Sequence, residues 1–110
     1  MVVLQANIGI EDAKERVRHA ISQLGMSVET VDTINRSLGD SELYVVVIEK
    51  LFLRNGNYAS LTIVVTGDGA SSRVEAIASG AGEGLLNIGL GAKKRFADDF
   101  ERLMRESGYK

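Results

Sequence analysis

Residues 42–67, ELYVVVIEKLFLRNGNYASLTIVVTG, constrain this chain more than any other stretch. Two apolar, β-branched runs flank Asn55-Gly56, a dipeptide in which both residues tolerate positive φ and close a two-residue type I′ turn without strain. Such a turn predicts a hairpin with strands at about 42–54 and 57–66. It pairs Arg54 with Asn57, Phe52 with Ala59, Lys50 with Leu61, Ile48 with Ile63 and Val46 with Val65. Those residues share one face. The other face holds Leu53 with Tyr58, Leu51 with Ser60, Glu49 with Thr62 and Val47 with Val64, because side chains alternate along a strand.

The rest of the chain is expected to pack on or extend this hairpin. Val2, Leu4, Ala6 and Ile8 alternate weakly, as in a short edge strand. Ile10, Ala13, Val17, Ala20, Ile21 and Leu24 fall on one helix face and predict a helix over 10–24. Glu11, Asp12 and Glu15 suit the positive end of its dipole, and Gly25 is its stop. Residues 26–38 favour a strand by their Thr and Val content. Val28, Val31 and Ile34 are three apart, which neither a clean strand nor a long helix explains and which suits a strand with a bulge that shifts the inward face. Residues 39–41 make a turn, 67–72 a connection, and 73–79 a further alternating strand. A second helix runs from Ala92 to about Ser107, with Phe96, Phe100, Leu103 and Met104 as its stripe and Gly108 as its end. The order β-α-β-β-β-β-α predicts an α+β domain over residues 1–110: a four-stranded antiparallel meander with two helices on one face. It resembles the TATA-binding-protein-like and helix-grip folds, a likeness that carries no function with it.

Composition narrows the function classes. At 110 residues, 45% of them hydrophobic and 25% charged, the chain is a single globular domain. A net charge of −2 argues against a general nucleic-acid or anionic-membrane binder. The absence of cysteine removes thiol nucleophiles and disulfides, and one histidine argues against a zinc or copper site. No run of 18 apolar residues and no basic-then-apolar leader is present, so a cytoplasmic protein with no cofactor is the expectation.

Few residues stand out chemically. Gly80, Gly82, Gly84, Gly89 and Gly91 precede a helix whose first turns carry Lys93, Lys94 and Arg95. Freed backbone amides, a helix N-terminus and cations together suit an anion. Yet no Gly-Lys-Ser/Thr closes the loop, and a parallel βαβ unit is missing, so neither phosphate fingerprint is met. The plainer reading is a loop whose Leu85, Leu86, Ile88 and Leu90 tuck into the core. Lys50 falls on the helix-covered face, where burial would lower its pKa and suit it to base or Schiff-base chemistry. More commonly such a lysine snorkels to water at the sheet's end. Glu49 reads as a solvated or interface residue, His19 as solvated on the outer face of the first helix, and Asp98, Asp99 and Glu101 as a solvated face paired with Arg102 and Arg105. No catalytic set assembles.

The hairpin's second face, with Val45, Val47, Leu51, Leu53, Tyr58 and Val64, is too apolar to stand open to water. A partner subunit, the glycine loop or a ligand should cover it, and a homodimer is the simplest of these. Glu49-Lys50, Arg54-x-x-Asn57-Tyr58-Ala59-Ser60-Leu61, Ser79-Gly80-Ala81-Gly82-Glu83-Gly84 and Gly91-Ala92 resemble a family of small bacterial proteins classed as a domain of unknown function. Ala81 interrupts the glycine run of that pattern, and Leu90 stands where an aromatic residue is expected. The resemblance brings no activity with it. The leading expectation is a self-associating, non-enzymatic module holding a small ligand between sheet and helices. The alternative is an anion- or nucleotide-binding protein, enzymes included, built on residues 80–91 and the last helix.

Overall fold

The chain runs β1 (Val2–Ala6), α1 (Ile10–Ser22), β2 (Val28–Leu38), β3 (Ser41–Phe52), β4 (Asn57–Gly67), β5 (Ser72–Gly80) and α2 (Ile88–Glu106). The computed structural model describes residues 1–52, 57–80 and 88–110. All strands join one antiparallel sheet in the order β1-β5-β4-β3-β2. The sheet therefore has five strands, not the expected four. β1 closes its far edge, setting Val2 opposite Ala76 and Leu4 opposite Val74. Strands β1 and β2, separated only by α1 in sequence, end on opposite edges because the helix carries the chain across the sheet.

The β3–β4 register also differs from the turn-based expectation. Phe52 pairs with Asn57, Lys50 with Ala59, Ile48 with Leu61 and Val46 with Ile63. That is a shift of two residues. A two-residue slip leaves every side chain on the face the pattern assigned, so hydrophobic alternation cannot detect it. What decides it is alignment across the sheet: Val46, Ile63, Ala76 and Val2 form one row, and Tyr44, Val65, Val74 and Leu4 the next. Residues 53–56, including the Asn55-Gly56 dipeptide, lie outside the described residues. In β2 the expected bulge is present, the register shifting between Thr30 and Asp32.

Both helices cover one sheet face. Ile10, Ala13, Val17 and Ala20 of α1, and Ala92, Phe96, Phe100 and Met104 of α2, are buried with Val46, Ile48, Leu61, Ile63 and Val65. At about 25 cal/mol per Å² of apolar surface, this layer is the main source of stability. It fills the space between sheet and helices. Helix α2 begins at Ile88, one turn earlier than predicted, and so includes Gly89 and Gly91. Each glycine costs about 1 kcal/mol relative to alanine, which local propensity counts against the helix. Packing of Ala92 and Phe96 next to them outweighs that cost.

The helix ends are tied into the sheet. At the start of α1 the Ile10 N–H donates to the Asp68 carbonyl across the β4–β5 connection (2.8 Å). At the end of α2, Tyr109 N–H donates to Met104 O and Gly108 N–H to Arg105 O (both 3.1 Å), with Gly108 at φ +114°. This is a Schellman motif, and it turns Tyr109 into the core. There its hydroxyl meets Ser72 Oγ at 2.5 Å. Lys110 then exchanges backbone hydrogen bonds with Gln5 (3.0 and 3.4 Å), covering the outer edge of β1.

Candidate functional site

Among the described residues no helix lies on the second face of the sheet, so that surface is built there from strand residues. Four central cross-strand rows define it, flanked by Leu38 with Ser41 at one end and Leu51 with Tyr58 at the other. The first is Arg36, Leu43, Thr66, Arg73 and Gln5; the second is Ile34, Val45, Val64, Glu75 and Val3. The third is Asp32, Val47, Thr62 and Ile77, and the fourth is Glu29, Glu49, Ser60 and Ser79. The two middle rows put Ile34, Val45, Val64, Val3, Val47 and Ile77 together. Val45, Val47 and Val64 are half-buried among their neighbours, while Ile34 and Ile77 are 46% and 55% exposed. Glu75 in this patch is paired with Arg73 at 3.6 Å. An antiparallel sheet with one side in water normally carries polar residues there, so this apolar centre is the anomaly of the molecule.

The other sequence candidates come together only in part. Lys50 lies on the helix-covered face, as expected, one row with Ala59 and Gly80. Its ammonium donates to the Leu24 carbonyl at the end of α1 (2.8 Å). Cations suit the negative end of a helix, so this is a tether between α1 and β3. Lys50→Met keeps the apolar stem and removes that bond. It should lower the unfolding free energy by about 1–2 kcal/mol in urea denaturation. Gly91 is inside α2 rather than ahead of it, which moves Lys93 and Lys94 beyond the first turn. Lys94 pairs with Asp98 at 2.8 Å. Lys93 and Lys94 border a cleft with Val2 and Ala78 at the β1 edge. Gly82 and Gly84 fall in 81–87, outside the described residues.

The remaining charged groups behave as solvated or structural. His19 is exposed. Arg102 lies 3.9 Å from Asp99 and 3.5 Å from Glu106, and Arg105 lies 2.8 Å from Glu101. Sequence reasoning missed the cluster by which α1 covers Tyr44. Lys14 and Arg18 stand 5.9 and 6.0 Å from the centre of that ring, and Lys14 also lies 3.3 Å from both Glu11 and Glu42. The Glu42 contact is an ion pair without hydrogen-bond geometry. Hydrogen bonding within this cluster holds the Glu11 carboxyl below its ordinary value. The helical spacing of Lys14 and Arg18, four apart, was the available signal. Asp68, whose carboxylate accepts the Ala70 and Ser71 N–H groups (2.8 and 2.9 Å), is likewise held below the usual carboxylate range. Among the described residues no cluster of His, Asp or Glu is arranged to hold a metal ion, and no helix is long and apolar enough to cross a membrane.

Fold and surface together define an α+β sheet-and-two-helix module whose distinguishing feature is an open, centrally apolar sheet face. The chain belongs to a family of unknown function, DUF6054, whose match spans residues 2–108. No curated protein and no solved structure matches it.

Proposed function

We propose that the protein is a self-associating interaction module that uses the open face of its sheet, with a homodimer as the working unit. The observation that carries this reading is the apolar centre formed by Ile34, Val45, Val47, Val64 and Ile77 on a face that no helix covers among the described residues. Strands about 4.8 Å apart and rows about 6.8 Å apart give this face a footprint of about 650 Å². Two copies would bury about 1,300 Å², within the range of specific interfaces. Aligned stacking of two such faces is a common solution for antiparallel sheets. Phe96, Phe100, Met104 and Tyr109 belong to the core between sheet and helices, and the open face is the surface that supports a binding role.

Sedimentation velocity over the micromolar range tests this. The wild type should sediment as a dimer, and Val64→Glu, which sets a charge in the middle of the patch, should sediment as a monomer with an unchanged far-ultraviolet spectrum. A wild type that stays monomeric throughout would refute the reading.

A further inference from the structure

Toward its two ends the open face carries opposite charge, just inside the outermost rows of Leu38 with Ser41 and Leu51 with Tyr58. At one end Glu29 and Glu49 are direct cross-strand neighbours. Among the described residues neither has a cation partner, and like charges directly opposite each other destabilise a sheet. At the other end Arg36 donates only to the neighbouring Asn35 carbonyl (2.9 Å) and meets no carboxylate among the described residues. Along β3 these ends lie at Leu43 and Glu49, so about 20 Å of strand separates them and they cannot meet within one chain.

From this we infer that two copies stack face to face about a two-fold axis that crosses the strands between the Val45 and Val47 rows. The inference rests on the self-association proposed above and specifies its geometry. Such an axis reverses strand direction and lays β2 on β2, so Arg36 of each copy stands over Glu29, beside Glu49, of its partner. Two symmetric pairs result, at opposite ends of one apolar patch. The Val45 row of one copy then covers the Val47 row of the other. Glu75 keeps its own Arg73 as counter-charge, and Asp32, on the outermost strand, keeps the Thr33 N–H at 2.8 Å. An axis running along the strands would instead stack the arginine row on the arginine row and the glutamate row on the glutamate row, which electrostatics disfavours. Exposed edge charges of this kind set orientation more than they set affinity.

The test is a charge exchange. Arg36→Glu and Glu29→Arg should each fold normally, since both side chains are exposed on the edge strand. Each alone should weaken the dimer about tenfold at low salt, because both symmetric pairs become repulsive. Mixed in equal amounts they should form a heterodimer of near wild-type affinity, since both pairs in that species are attractive again. Native mass spectrometry separates the three species by mass. If the wild type dimerises but neither variant weakens it, or the mixture shows no preference for the heterodimer, the orientation is wrong while self-association stands. A monomeric wild type removes both.

Discussion

Tyr109→Ala is expected to lower the unfolding free energy by about 3–5 kcal/mol, the cost of deleting a buried aromatic ring. For a domain whose total stability is about 5–15 kcal/mol, this approaches global unfolding. Tyr109 is 1% exposed, and it packs with Met104, Phe100 and Val74 in the core that joins α2 to the sheet. Its loss also leaves Ser72 Oγ, buried opposite it, without its partner. Tyr109→Phe separates the two effects: the ring stays, and only the hydroxyl pair is lost, at about 1 kcal/mol. Burial also holds the Tyr109 phenol above its ordinary value of 10.0. The folded chain therefore keeps a proton there that the unfolded chain releases. Its contribution is complete below pH 10.0 and is lost as pH rises through the raised folded value. Urea midpoints measured across alkaline pH should show that decline in the wild type, with this component absent from Tyr109→Phe.

Gly9→Ala and Gly67→Ala are each expected to destabilise the protein by about 1–3 kcal/mol, while Gly69→Ala stays within about 0.5 kcal/mol of the wild type. A Cβ at Gly9 would stand 2.6 Å from the carbonyl oxygen of Gly69 and 3.0 Å from its carbon. These are backbone atoms and cannot swing aside. The β4–β5 connection would have to leave the start of α1, breaking the Ile10 to Asp68 hydrogen bond that seats the helix. A Cβ at Gly67 would press on Ser71 O and on Ser72. That shift would carry into the Ser72–Tyr109 pair and couple both ends of the fold. At Gly69 a Cβ meets nothing within 4 Å. Thermal and urea melts of the three variants check the ordering. Equal losses at Gly9, Gly67 and Gly69 would refute the close-approach argument.

Much of the fold was legible because it is written in periodicity. The stripe through Ile10, Ala13, Val17 and Ala20 placed α1, and the alternation of residues 42–66 placed both strands and sorted their faces. The apolar second face of the hairpin, and with it the candidate surface, was visible for the same reason. The bulge in β2 is there, but it leaves Val28 on the helix-covered face beside Lys50 and Ile34 on the open face beside Val45, so the spacing of three did not say which residues share a face. Where two solutions share one pattern, the pattern was silent. The β3–β4 register slipped by two without moving a side chain to the other face, and α2 ran one turn further through two glycines. The place of Lys50 on the helix-covered face was a matter of alternation, but its role depends on where α1 happens to end.

What the amino-acid order determined by itself is therefore local: element type, facing and charge, set by periods of 2 and 3.6 that each segment carries alone. Only the tertiary structure decided the rest. It set β1 beside β5 and aligned the rows across five strands. It turned Lys50 into a tether for Leu24 and brought Tyr109 onto Ser72. It also placed Arg36 and Glu29 toward opposite ends of one sheet face. Those outcomes depend on contacts between segments far apart in sequence, and the free energy that selects them comes from burying whole rows together.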